Sequence, residues 1–203
     1  MSDKYGADHD TTYCYPESDV LKNLLGITDS EILKAAEVEF TQFRLTQYEY
    51  PEFRDFSLTT WKNIHFFLFQ DVYEWAGELR TVKLAKSGTL FAVPDCIERE
   101  AERLFGKLRA ENHLSGLLRS EFVTRVADYY SELNVLHPFR EGNGRSQRLL
   151  FELIALNAGY VLDWSAVDEP LWIPANIAAF NCQLEPLIAI FDRVVRKMRA
   201  DGA

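Results

Sequence analysis

Apolar residues recur three and four positions apart through most of this chain, and that spacing restricts it to folds made by packing helices. The pattern runs through Ile97, Ala101, Leu104, Phe105 and Leu108, then through Phe122, Val126, Tyr129, Tyr130, Leu133 and Leu136. It returns over residues 146–157, where Gly159 offers a C-terminal stop. Residues 20–43 read as two helical pieces split at Gly26, with Thr28 or Asp29 able to cap the second. Ser57 is placed to cap a helix through Trp61, Ile64, Phe67 and Leu68, and residues 174–198 add one or two more helices. Residues 76–94 depart from the pattern. Gly77 ends the helical spacing, Leu79, Thr81, Val82 and Leu84 have strand character, and Ser87 and Gly88 signal a turn before residues 89–93. The expected architecture is all-α: a helical bundle with one inserted β-hairpin, a single domain over residues 13–203 behind a mobile segment, 1–12.

With 203 residues, 47% hydrophobic and 26% charged, the chain can bury a substantial core. A net charge of -9 disfavours nucleic acid and anionic membranes as partners, since both call for a basic footprint, but it leaves room for a local anion pocket. The opening residues lack the basic and apolar stretches of a secretion signal, and no apolar run is long enough to span a bilayer. Cys14, Cys96 and Cys182 are widely separated and show no metal-ligand spacing. Reduced thiols in a cytoplasmic protein are the simplest reading.

The chemistry concentrates between His137 and Arg148. Pro138 forces the preceding residue out of helical geometry, so His137 stands at a helix exit where its ring can face a cleft. Gly142, Asn143 and Gly144 tolerate left-handed backbone angles and can turn successive amides towards an anion. A helix starting behind them adds unpaired amides and a partial positive charge. Arg145 and Arg148 share one face of that helix, an unfavourable placement at its positive end unless an anion lies between them. Glu141 supplies a hard oxygen suited to Mg²⁺ when phosphates provide the other ligands. A base, a carboxylate, an amide cradle and two arginines describe a polyphosphate site. Taken singly, each feature has a plainer reading: a capping histidine, a tight turn, or surface ion pairs of Arg145 and Arg148 with Glu141 and Glu152. Those readings leave the clustering unexplained. Phe139 reads as core, anchoring the loop.

At these residues the chain resembles the Fic family, whose signature is His-Pro-Phe, any residue, Asp or Glu, Gly-Asn-Gly-Arg, two residues, Arg; every fixed position is matched from His137 to Arg148. The segment from Asp71 through Trp75 and Gly77 to Arg80 resembles the stretch before the family's flap hairpin, and residues 86–97 resemble the flap. The resemblance implies a protein adenylyltransferase using ATP and Mg²⁺. His137 would take the proton from a target Ser, Thr or Tyr hydroxyl, and Glu141 would bind the Mg²⁺. Gly142, Asn143, Gly144, Arg145 and Arg148 would hold the phosphates, with Arg145 on the β- and Arg148 on the γ-phosphate. Lys86, Leu90 and Phe91 would dock the target as an added strand. Val93 stands where some relatives carry a polar or aromatic residue, which bears on target preference. Residues 15–16 and 23–27 resemble the start of short bacterial Fic toxins, implying the ATPase subunits of DNA gyrase and topoisomerase IV as targets. The family's inhibitory motif, Ser or Thr, three residues, Glu, then Gly or Asn, has its nearest match at Ser165 and Glu169, followed by Pro170. The implied restraint is a separate small antitoxin whose glutamate pairs with Arg148.

Other reactions on the same fold (transfer of UMP, phosphate or phosphocholine) stay open, although Gly144 stands where the Doc-type loop has lysine. A non-catalytic anion-binding module is a further alternative. A metal hydrolase is weaker, because His9, His65, His113 and His137 show no ligand spacing.

Overall fold

The computed structural model describes residues 10–51, 55–86, 89–167 and 169–198. Seven α-helices carry it: α1 (Ser30–Thr46), α2 (Leu58–Phe69), α3 (Pro94–Ala110), α4 (Arg119–Leu136), α5 (Asn143–Asn157), α6 (Glu169–Phe180) and α7 (Glu185–Val194). Two short antiparallel sheets accompany them. In one, β1 (Ala85–Lys86) pairs with β2 (Thr89–Leu90); in the other, β3 (Tyr160–Leu162) pairs with β4 (Val195–Lys197). The all-α expectation with one inserted hairpin describes this fold, with the β3–β4 pair as an addition.

The helix caps explain the boundaries. Asp29 accepts from the amides of Glu31 and Ile32 at the start of α1, and Ser57 accepts from the Thr60 amide at the start of α2. Pro94 opens α3, where its missing N–H costs nothing. Gly159 follows α5 with φ +83, the left-handed turn that ends many helices. Leu84 and Phe91 form a small second core cluster, and the main one is centred on Trp61, Phe69, Tyr73, Phe122, Phe139, Phe151 and Phe191. Within it α4 packs on α3, α5 and α7, and α2 packs on α5 and α1.

Two expectations need correcting. The helical piece over residues 20–25 does not form; Leu21 makes an isolated bridge to Cys14, the Asn23 side chain bonds Leu21 and Ile27, and Leu24 is exposed. Val20 and Leu21 are buried while Leu24 and Leu25 are exposed, so the core takes one end of that stripe and local polar bonds hold the rest. The hairpin is also shorter than the pattern predicts. Residues 79–84 stay outside the ladder because Arg80 turns inward and its amide bonds the Pro138 carbonyl instead of a strand. The turn at Ser87 and Gly88 lies outside the described residues. The segment expected to be mobile falls mostly outside the described residues, yet Asp10 is already buried, in an ion pair with Arg140.

Candidate active site

α4 ends at Leu136 because His137 takes left-handed angles (φ 45, ψ 59) ahead of Pro138. The chain then crosses the core through Phe139, whose ring stacks on His65 at 3.9 Å and meets Trp61 edge-on at 5.6 Å. Asn143 closes the loop: its side chain accepts from the Phe139 amide at 2.8 Å and donates to the Phe139 carbonyl at 2.7 Å. Its amide group is therefore structural, and what Asn143 can offer a ligand is its backbone. The expected left-handed run also shrinks to one residue. Of residues 142–144 only Gly142 has positive φ (78), and α5 begins at Asn143. Ser146 makes the first bond of that helix, to the Gly142 carbonyl, so the amides of residues 143–145 precede it. The anion cradle is thus a helix N-terminus.

Gly142 and Gly144 are glycines for different reasons. A Cβ on Gly142 would lie 2.3 Å from the Phe69 ring, whereas one on Gly144 meets nothing within 4 Å. Gly144 therefore has open space, and it faces a cavity of about 270 Å³. That cavity gathers His137, Glu141, Gly142, Asn143, Gly144, Arg145, Arg148, Lys86 and Phe91 on one wall. Leu90, expected to help dock a target, is exposed on the hairpin outside the cavity lining.

The electrostatics follow from what each group touches. The His137 imidazole stacks flat on Phe91 (3.8 Å, 10° between planes). Burial pushes its pKa down to about 3; Glu141 opposes that shift and Arg80 and Lys86 reinforce it, so the ring is a neutral base at pH 7. The Oε1 of Glu141 accepts from the Gly142 amide at 3.0 Å and stands 3.9 Å from Arg145. Arg145 lies over the Phe69 ring, 4.7 Å from its centroid, and pairs with Glu37 of α1, which also accepts from the Tyr73 hydroxyl. Glu152, considered above as a partner for Arg148, accepts from Trp164 and Tyr50.

The opposite wall was not anticipated. Trp172, Ile173, Ile177 and Phe180 of α6, with Asn134 and Asn176, form an apolar surface bearing two amides. Asn134 donates to the Asn176 side chain at 3.3 Å, and Asn176 donates to the Trp172 carbonyl at 2.8 Å. In sequence these residues are an ordinary apolar helix, and only folding brings them opposite the loop. Arg80 and His65 were likewise missed as loop supports. His65 accepts from the Gly77 amide at its Nδ1 and donates from Nε2 to the Glu141 carbonyl, both at 2.9 Å. Burial holds it neutral, its pKa pushed down to about 4. Among the described residues no three His, Cys, Asp or Glu side chains could hold a metal ion together.

A model of the Fic/DOC family matches residues 55–155. The protein from Escherichia coli (strain K12) named "Probable protein adenylyltransferase Fic" is 40% identical over 196 residues, covering 96% of each chain. The chain belongs to the Fic/DOC family. The Fic domain of a Bep effector protein from Bartonella quintana superposes with a TM-score of 0.85 at 30% identity, covering 93% of each chain. BepC from Bartonella tribocorum, solved with bound AMPPNP, has a TM-score of 0.85 at 28% identity, covering 92% of this chain and 97% of BepC. The Fic signature coincides with the cavity wall, from His137 at the end of α4 to Arg148 on α5. No helix among the described residues is long and apolar enough to cross a membrane.

Proposed function

We propose that this Fic protein is an adenylyltransferase that moves AMP from ATP to a Ser, Thr or Tyr hydroxyl of another protein. The observation that carries the reading is one cavity holding a neutral imidazole, a helix N-terminus with two arginines, and an apolar amide-bearing wall opposite. The wall from Trp172 to Phe180 suits a planar base, with Asn134 and Asn176 supplying polar edges. The amides of residues 143–145, Arg145 and Arg148 take the triphosphate. Relatives named as adenylyltransferases and a neighbour solved with AMPPNP support this choice of ligand.

Glu141 fits a Mg²⁺ that arrives with the nucleotide: it brings one hard oxygen donor set, too few for a resident metal and enough for an ion otherwise held by phosphates. Glu141 would hold such an ion, which would supply positive charge to the nucleotide's phosphates. His137 accepts the hydroxyl proton as the target oxygen bonds the α-phosphorus. The α–β bridging P–O bond breaks and pyrophosphate leaves, its charge held by Arg145 and Arg148. The target lies along the hairpin edge near Lys86 and Phe91.

In the cell the proposed role is that of a toxin. Its targets would be the ATPase subunits of gyrase and topoisomerase IV, and its restraint a small partner whose glutamate pairs with Arg148. Exposure of Arg148 at the cavity supports such a contact. Incubation with labelled ATP and Mg²⁺ in bacterial lysate tests the whole reading. His137→Ala is expected to lower labelling by about 10²–10⁴-fold while AMPPNP still binds. Equal labelling by both proteins would refute the base, and an added mass other than AMP would refute the donor. No gain in labelling after stripping every co-purifying chain would refute the restraint.

A further inference from the structure

The Arg80 guanidinium is buried, with 2% of the residue exposed, and faces no carboxylate partner among the described ion pairs. It is solvated by backbone carbonyls. Nε donates to His137 at 2.7 Å, Nη1 to Val82 at 2.7 Å, and Nη2 to Ala92 at 2.5 Å and Leu136 at 3.1 Å. Two of these acceptors flank the hairpin and two end α4. Backbone bonds run the same way: the Arg80 amide donates to Pro138 and the Ala92 amide to Val135. A buried cation is retained only where it is well compensated, and here each acceptor lies either just outside the hairpin that would seat the target or at the turn that aims His137.

We propose that Arg80 is a positioning residue that locks the hairpin base and the left-handed His137 turn into one rigid unit, so that a target seated on the hairpin presents its hydroxyl in register with the imidazole. The proposal rests on the reading of His137 as the base. Only a planar fork with donors on three nitrogens reaches carbonyls on both sides; an ammonium of one nitrogen serves one side. The side-chain bonds of Arg80 go to Val82, Ala92, Leu136 and His137, none of them in α5, so the proposal expects the phosphate cradle to form without it.

Wild-type protein offers the first test, through hydrogen exchange of the Arg80 and Ala92 amides. Equal protection is expected, as for one cooperative unit; an Ala92 amide exchanging about 10²-fold faster would overturn the proposal. Arg80→Lys and Arg80→Gln form the second test. Both are expected to keep AMPPNP–Mg²⁺ affinity near wild type by calorimetry, to lose protection at the Phe91 and Ala92 amides, and to label lysate proteins about 10²-fold more slowly. Wild-type labelling by Arg80→Lys would overturn it, because charge alone would then suffice. So would a fall in nucleotide affinity and thermal midpoint in step with labelling, the mark of a general structural role. If wild-type protein labels nothing, the transferase reading fails and the exchange measurements alone decide the coupling.

Discussion

Gly142 and Gly144 show how one residue type serves two purposes within three positions. Gly142 combines φ +78 with a Phe69 ring packed where a Cβ would stand, so Gly142→Ala is expected to cost the fold more than about 1 kcal/mol. Gly144 sits in the first turn of α5 with open space beside it. Gly144→Ala is expected to leave stability unchanged or raise it by up to about 1 kcal/mol, since alanine is the better helix former, and yet to weaken AMPPNP binding by crowding the phosphates. Urea midpoints with calorimetry separate the two; weak folding with Gly144→Ala would contradict this division. The motif pattern alone shows both positions as turn-forming glycines. The Phe69 ring, brought in from α2, tells them apart.

Elements act here chiefly by holding the loop between α4 and α5. Its middle residue, Arg140, is clamped by Asp10 at 2.7 Å, the two side chains 4% and 2% exposed. Asp10→Ala would remove a carboxylate that pairs with the buried Arg140 guanidinium, a loss of up to about 3–5 kcal/mol. A urea midpoint within error of wild type would show that Arg140 finds solvent instead. Helix α1 contributes through a buried stripe of Leu33, Glu37 and Thr41, polar where it meets Arg145. Of the apolar residues that give α1 its helical spacing, Leu33 is buried but Ile32 and Val38 are exposed, so periodicity could not show that Glu37 and Thr41 continue the inner face. A helix whose inner face serves a cation defeats the rule that apolar means inside.

The whole molecule carries a net charge of -9 but places Lys86, Arg145, Arg148 and a helix N-terminus around one cavity. An acidic surface around a cationic pocket favours a compact polyanion over a long one such as nucleic acid. Buried His65 and partly buried His137 also shape the response to acid. The pKa of His65 is lowered to about 4 in the folded protein, and that of partly exposed His137 moves the same way. Below pH 6.5 the unfolded chain binds protons at these rings that the folded chain refuses, so stability falls as pH drops from about 6.5 towards 4. The slope from His65 is at most about 1.4 kcal/mol per pH unit. Urea midpoints between pH 7.5 and 5 are expected to decline, and less steeply in His65→Gln; a flat profile would mean that His65 is protonated in the fold.

Much of this protein was determined by short-range chemistry that a sequence carries openly. Helical spacing, Asp29 and Ser57 as caps, Pro138 and Gly159 as stops, and the run from His137 to Arg148 each act over a few residues, and those features specify the bundle and one wall of the cavity. The tertiary structure alone decided what stands across from that wall and behind it. Trp172 and Asn176 face the loop because α6 packs on α4 and α7. Arg80, His65, Glu37 and Asp10 reach it from positions distant along the chain. Their side chains are polar and buried, and burial of a polar group is settled by partners that exist only once the chain has folded.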